Sequence, residues 1–106
     1  MEPQSRLAYA LSKGALELLT RVLAVSLAPT VRVVGVAPGL TTGSDLIDDQ
    51  LLTAMAGHAL TRKLPTMQEV AATVSFAVSN QAFTGSTLMV DAGFHLNSMR
   101  RDFPFL

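Results

Sequence analysis

The sequence has 106 residues, of which 49% are hydrophobic and 15% charged, and this balance is typical of one small globular domain and excludes a disordered chain. Eight lysines and arginines offset eight acidic residues without long runs of either sign, which argues against a nucleic-acid-binding surface. The lack of cysteine excludes disulfides and thiolate metal sites, and no segment resembles a membrane span or a signal peptide, so we expect a cytoplasmic protein.

A long helix is the first predicted element. Apolar residues recur at helical spacing over residues 7–28, and Pro29 then ends the pattern. Apolar side chains also occupy the other faces of this helix, as in a helix that is buried. The mean hydropathy of +0.38 is high for a chain of this length, so we expect part of its apolar surface to face another segment or another chain.

A short strand is predicted next, over residues 31–37, and the Pro38-Gly39 turn closes it. Its nearly continuous apolar character favours a strand of a parallel sheet that is covered on both faces. A second helix is expected after the following loop, with Ser44 or Asp45 as its N-cap and Leu52 among its apolar positions.

A third helix is predicted over residues 67–79. Thr66 and Glu69 have the spacing of a capping box, in which each side chain bonds the backbone amide of the other. A second strand is predicted over residues 87–90, before a turn at residues 91–93. The order of elements therefore predicts an α/β fold with a parallel strand pair and helices on its faces. Two short strands leave unpaired edges, so we expect them to belong to a larger sheet.

Tyr9 and Lys13 are candidate catalytic residues because their spacing of four places both on one face of the first helix. An ammonium beside a phenol favours the phenolate, which suits a tyrosine for acid/base chemistry. The alternative is a tyrosine ring packed against a lysine stem at the surface. The Pro38-Gly39 turn and Thr41-Thr42 follow the carboxyl end of a strand, where open α/β sheets bind ligands, although an ordinary turn would look the same.

Three motifs occur in order along the chain: Tyr9-Ala10-Leu11-Ser12-Lys13, the segment Val31-Arg32-Val33-Val34-Gly35-Val36-Ala37-Pro38-Gly39, and Thr84-Gly85 followed by Val90-Asp91-Ala92-Gly93. Together they closely resemble the carboxy-terminal half of a short-chain dehydrogenase/reductase. The resemblance covers nearly the whole chain. It implies the carboxy-terminal part of a Rossmann-type, doubly wound parallel sheet, so that residues 1–106 would form a partial domain.

The resemblance also implies an NAD(P)-dependent oxidoreductase that transfers hydride between nicotinamide and an alcohol or carbonyl substrate. Tyr9 would exchange a proton with the substrate oxygen, and Lys13 would hold the nicotinamide ribose hydroxyls. The loop formed by Pro38, Gly39, Leu40, Thr41 and Thr42 would line the nicotinamide. Residues 44–64 would match the variable segment that covers the substrate. The substrate, the direction of reaction and the choice between NAD and NADP stay open.

Several family features do not occur in this sequence. The Gly-rich phosphate loop and the catalytic Ser and Asn precede the tyrosine in the family, whereas only eight residues do so here and no Gly-x-Gly-x-x-Gly is present. We therefore expect the chain to be incomplete and, alone, to be inactive and to bind NAD(P) poorly. The alternative is a short, non-catalytic protein that pairs with a full-length reductase subunit. We otherwise expect the chain to form a homo-oligomer, with further copies of itself as the partners.

The remaining polar candidates are weaker. Asp45, Asp48 and Asp49 cluster where a helix N-terminus favours acids, so no metal site is predicted. His58 and His95 are single and unpaired, and for His95 a surface position is favoured over a substrate pocket. An apolar tail is expected to dock on a neighbouring subunit or to pack on its own chain. It consists of Phe94, Met99, Phe103, Phe105 and Leu106.

Overall fold

The computed structural model describes residues 3–43 and 48–97. Helix α1 spans Pro3–Leu27, strand β1 spans Gly35–Ala37, and helix α2 spans Asp49–Ala56. Helix α3 spans Met67–Ser79, strand β2 spans Thr87–Met89, and a 3-10 helix spans Phe94–Leu96. The predicted order of helix, strand, two helices and strand is confirmed.

The two strands pair in parallel, as the sequence predicts. The Gly35 amide donates to Ser86 at 3.0 Å, and the Val90 amide donates to Ala37 at 2.9 Å, so both strands advance in the same direction. β1 is shorter than the predicted residues 31–37. The residues just before Gly35 hydrogen-bond to a loop instead of a strand, because the Thr84 hydroxyl accepts the Val33 amide at 3.2 Å.

Helix α1 begins about one turn before the predicted start and ends one residue before the predicted end. The expectation that it is buried is wrong for this chain: of its side chains that the structure describes, only those of Thr20 and Ala24 are buried. Leu11 is 65% exposed and Val25 is 81% exposed. Much of the apolar surface of α1 is therefore not buried by the other described residues.

Helix α2 begins later than either N-cap predicted from the sequence. Asp48 is the cap, and its carboxylate accepts the Leu51 amide at 2.7 Å. An aspartate at this position satisfies a free amide and favours the positive end of the helix dipole. The predicted caps Ser44 and Asp45 lie outside the described residues.

Helix α3 has the predicted bounds, and its capping box is confirmed. The Thr66 amide donates to Glu69 Oε1 at 2.9 Å, and the Glu69 amide donates to Thr66 Oγ1 at 3.1 Å. The hydrogen bond from the Thr66 amide, together with that from its hydroxyl, lowers the pKa of the Glu69 carboxyl below its ordinary value of 4.5. The beginning of α3 is thus fixed by adjacent residues alone.

The chain divides into two compact units. One comprises Met1–Gly35 with Ala77–Leu88, and the other comprises Val36–Phe76 with Met89–Leu106. In the first, Ala24 lies against the turn before β2, where a Cβ added at Gly85 would be 3.4 Å away. In the second, Ala59 and Leu64 are buried apolar residues. Among residues 3–43 and 48–97, no helix combines the length and the apolarity that a membrane span requires.

Candidate active site

Tyr9 and Lys13 are brought together on α1, as their spacing predicts. The Lys13 ammonium nitrogen lies 5.4 Å from the centre of the Tyr9 ring, within the range of a cation–π contact. Tyr9 is 56% exposed, and the nearby Ser12 hydroxyl donates to the Tyr9 carbonyl at 2.8 Å. Lys13 is likewise exposed, so both members of the pair lie at the surface of the described chain.

The loop of residues 38–42 lies in the second unit and follows the carboxyl end of β1. Gly39 has a φ of +65°, and a Cβ at this position would lie 2.9 Å from the Asp91 Cβ, so the turn fits closely against that residue. The Thr42 amide donates to the Pro65 carbonyl at 3.0 Å and anchors the other end of the loop.

The backbone between these two anchors is available to a ligand. The amides of Gly39, Leu40 and Thr41 have no hydrogen-bond acceptor within the described residues. A row of amides at the carboxyl end of a parallel strand is suited to binding polar groups of a ligand. The loop follows β1, as the sequence predicts. A ligand contact of Thr41 or Thr42 stays a prediction.

The predicted site residues thus form two groups in two units. Tyr9 and Lys13 belong to the first unit and the loop of residues 38–42 to the second. Of the predicted substrate-covering segment, residues 48–64 are described and contain α2. Residues 44–47 lie outside the described ranges, as do Met99, Phe103, Phe105 and Leu106 of the apolar tail.

Sequence reasoning missed a second polar pair, because it treated His95 as unpaired. His95 Nδ1 lies 2.9 Å from Asp91 Oδ1 and 2.8 Å from Asp91 Oδ2. The Asp91 side chain is only 8% exposed, whereas that of His95 is 41% exposed. The four-residue spacing across a predicted turn was the available signal. The spacing alone does not predict the contact, because it depends on the left-handed backbone of two residues between Asp91 and His95, Ala92 at φ 57° and Gly93 at φ 76°.

The acidic residues near α2 have a structural role. Asp48 caps the helix, and Asp49 is in its first turn. Within the residues that the structure describes, no group of three histidine, cysteine, aspartate or glutamate side chains is arranged to hold a metal ion. Asp45 lies outside those residues.

Comparison with known proteins adds to these observations. A family model described as enoyl-(acyl carrier protein) reductase matches residues 1–95. The chain is 34% identical over 90 residues to dihydromonapterin reductase of Citrobacter koseri, a match that covers 85% of this chain and 38% of that reductase. It is 33% identical over 90 residues to the short-chain dehydrogenase/reductase homolog YusR of Bacillus subtilis, covering 84% of this chain and 70% of that protein. The chain therefore spans less than half the length of the dihydromonapterin reductase that it matches.

Solved structures of related proteins agree with these sequence matches. The chain is similar to the FolM alternative dihydrofolate reductase 1 of Brucella suis in complex with NADP, with a TM-score of 0.75 and 35% identity, over 83% of this chain and 36% of that one. The aldohexose dehydrogenase of Thermoplasma acidophilum shares the fold, with a TM-score of 0.72 at 24% identity over 84% of this chain and 41% of that one. With its α/β architecture, its parallel strand pair and these relatives, the chain belongs to the short-chain dehydrogenase/reductase family of oxidoreductases.

Proposed function

We propose that this chain supplies the proton-transfer residues of an NADP-dependent reductase that acts on a small carbonyl or imine compound. The observation that supports this most directly is the exposed Tyr9–Lys13 pair, with the ammonium nitrogen 5.4 Å from the ring centre, in a chain of this family. The remaining parts of the cofactor site would come from a polypeptide segment beyond these 106 residues.

Each of the two units carries donors of the kind that the nicotinamide end of the cofactor requires. The Lys13 ammonium offers up to three hydrogen bonds for ribose hydroxyls. The amides of Gly39, Leu40 and Thr41, which have no acceptor among the described residues, suit a carboxamide. For the pyrophosphate the sequence contains no Gly-x-Gly-x-x-Gly, the motif that would place it on a helix N-terminus. The chain therefore fits part of the dinucleotide and not all of it.

Tyr9 acts as the proton donor in this proposal. Its hydroxyl gives a proton to the substrate oxygen or nitrogen as the double bond is reduced, and the tyrosinate that results is stabilised by the nearby Lys13 ammonium. Bound NADPH supplies the hydride for the same reduction. Lys13 contacts the phenol ring, and its positive charge offsets the negative charge that the phenol acquires when the proton leaves.

The names of two relatives favour a reduced pterin as a substrate to test. One is a dihydromonapterin reductase, and the other is an alternative dihydrofolate reductase solved with NADP. Both names describe reduction of a pteridine-type ring, and the second favours NADP over NAD. A dihydropterin with NADPH is therefore the first pair to test.

The experiment compares the 106-residue chain alone with a fusion in which the amino-terminal half of the Citrobacter koseri reductase precedes it. We expect NADPH oxidation with a dihydropterin by the fusion and none by the chain alone. Tyr9→Phe in the fusion should lower kcat by about 10²- to 10⁴-fold, the usual contribution of a positioned acid. Ser12→Ala removes a hydroxyl from the same helix and is the matched control. Equal activity of Tyr9→Phe and Ser12→Ala fusions would refute the role of Tyr9.

We also propose that another polypeptide covers α1 in the working enzyme. Leu11 and Val25 are 65% and 81% exposed, a state that costs free energy in water. Sedimentation of the chain alone should therefore show self-association. A monodisperse monomer over a wide concentration range would be evidence against a partner surface on α1.

A further inference from the structure

The Asp91–His95 pair has a defined hydrogen-bonding state. Asp91 Oδ1 accepts the Gly93 amide at 3.1 Å, and Oδ2 accepts the His95 amide at 3.0 Å. The same two oxygens lie 2.9 and 2.8 Å from His95 Nδ1. Because a carboxylate only accepts hydrogen bonds, Nδ1 carries the ring proton. In the neutral imidazole, Nε2 is then left as an acceptor on a side chain that is 41% exposed.

The location of this acceptor connects it to the ligand-binding edge of the second unit. Asp91 lies two residues after the end of β2, and the Pro38-Gly39 turn directly follows β1. The turn fits so closely that a Cβ at Gly39 would lie 2.9 Å from the Asp91 Cβ. Ligands of parallel α/β sheets bind outside the carboxyl ends of the strands. Asp91 therefore places His95 at the same edge as the loop of residues 38–42, in which the amides of residues 39–41 have no acceptor among the described residues.

The turn around Asp91 has backbone hydrogen bonds to its carboxylate in addition to the imidazole contact. The two backbone amides already bond the Asp91 carboxylate, and they shape the turn without the ring. A buried carboxylate that holds one nitrogen of a histidine while the other faces outward is the arrangement by which proteins orient a histidine toward a ligand.

We propose that His95 contacts the substrate and that its Nε2 accepts a hydrogen bond from an N–H or O–H group of that substrate, with Asp91 as the positioning residue. This inference rests on the function proposed above for the identity of the reaction. It narrows the substrate class to compounds that carry a hydrogen-bond donor besides the bond to be reduced. An amino-substituted heterocycle meets this requirement, whereas a simple ketone does not.

The ring state is tested first, in the 106-residue chain, by nitrogen-15 NMR of the imidazoles. We expect His95 in the form protonated at Nδ1. His58 is the internal control, since it is exposed and its ring has no hydrogen-bond partner among the described residues. Asp91→Ala should give His95 the same tautomer distribution as His58. Protonation of His95 at Nε2 in the unaltered chain would overturn the inference.

Ligand contact is tested in the fusion with a dihydropterin and its 2-dimethylamino analogue, which lacks the amino donor. One hydrogen bond contributes about 0.5–1.5 kcal/mol, so His95→Ala should raise KM for the dihydropterin about 2- to 13-fold and leave kcat within about twofold. The variant should also remove the difference in KM between the two compounds. His95→Gln, whose amide oxygen can accept, should recover part of the loss, and Gln68→Ala on α3 is the surface control.

The outcomes separate the two proposals. An active, Tyr9-dependent fusion in which His95→Ala leaves KM unchanged overturns the role of His95 and leaves the proposed function standing. If the fusion does not oxidise NADPH, the proposed function fails, and His95 is then tested by titrating the dihydropterin into the 106-residue chain. A change in the His95 imidazole resonances, with those of His58 constant, supports the contact. Unchanged His95 resonances overturn it.

Discussion

Arg32 provides the sharpest test of how the first unit is held together. Its Nη1 donates to the carbonyls of Ala77 at 2.9 Å, Asn80 at 3.1 Å and Phe83 at 3.2 Å. Its Nη2 donates to the Val78 carbonyl at 2.8 Å. One guanidinium thus satisfies carbonyls at the end of α3 and in the loop that leads to β2, and it places positive charge at the negative end of the helix dipole.

The expected effect of Arg32→Ala follows from these contacts. A hydrogen bond to a charged group contributes about 1.5–3 kcal/mol, but Nη1 shares two hydrogens among three carbonyls and the freed carbonyls can be hydrated. The charge at the helix end adds about 0.3–1 kcal/mol. We therefore expect the free energy of unfolding to fall by about 2–4 kcal/mol. For a domain of this size, that is a decrease in Tm of at least about 8 °C.

Thermal unfolding followed by far-ultraviolet circular dichroism measures this decrease. Arg32→Lys keeps the charge without the planar fork and should fall between the original chain and Arg32→Ala. Arg21→Ala is the matched control, because Arg21 is exposed on α1 and its guanidinium has no hydrogen-bond partner among the described residues; its Tm should change little. If Arg32→Ala and Arg21→Ala unfold at the same temperature, the four carbonyl contacts do not stabilise the unit and the reasoning fails.

Four further substitutions test the capping box and the turn after β2 by the same unfolding measurement. Thr66→Ala should lower the free energy of unfolding by about 0.5–2 kcal/mol, and no change would mean that α3 does not need its cap. Folding lowers the pKa of Glu69, so its ionised form stabilises the fold at pH values above the ordinary 4.5, and this contribution is lost as the pH falls below that value. The difference in Tm between the original chain and Glu69→Gln should therefore shrink as the pH falls below 4.5. A difference that stays constant with pH would contradict the assignment. Gly93→Ala should destabilise by more than about 1 kcal/mol, because φ is +76° and the added Cβ would lie 2.8 Å from Leu60 Cδ1. Ala92→Gly, at φ 57°, should not lower the Tm, and equal losses in the two turn variants would show that backbone conformation is not the cause.

The helices were predictable because their signals are local. The capping box depends on two residues three positions apart, and both predicted bonds are present. The Tyr9–Lys13 pair likewise depends on helical spacing alone. The start of α2 was less predictable, since three aspartates are close together in the sequence and any of them suits a helix N-terminus. The structure selects Asp48.

The strand limits and the role of Arg32 were not predictable from local pattern. The carbonyls that Arg32 contacts lie 45 to 51 residues further along the chain, and nothing near Arg32 in the sequence indicates them. The pairing of β1 also depends on Thr84 and Gly85, which sit in a loop. Contacts between distant segments require the parallel pairing to be known first, because it alone brings residues 31–37 beside residues 84–90.

The Asp91–His95 pair shows why a residue type and its spacing were not enough. Four residues separate the two, but a turn and not a helix joins them, and only positive φ angles at Ala92 and Gly93 return the imidazole to the carboxylate. The family resemblance directs attention to Asp91, Ala92 and Gly93 of this turn and not to the histidine after it. Once the turn is known, the contacts of His95 Nδ1 with the Asp91 carboxylate assign the ring proton to Nδ1 and leave Nε2 as the acceptor of an exposed side chain. The proposed substrate contact therefore depends on a backbone conformation, which is why Gly93→Ala should disturb the His95 ring state as well as the Tm.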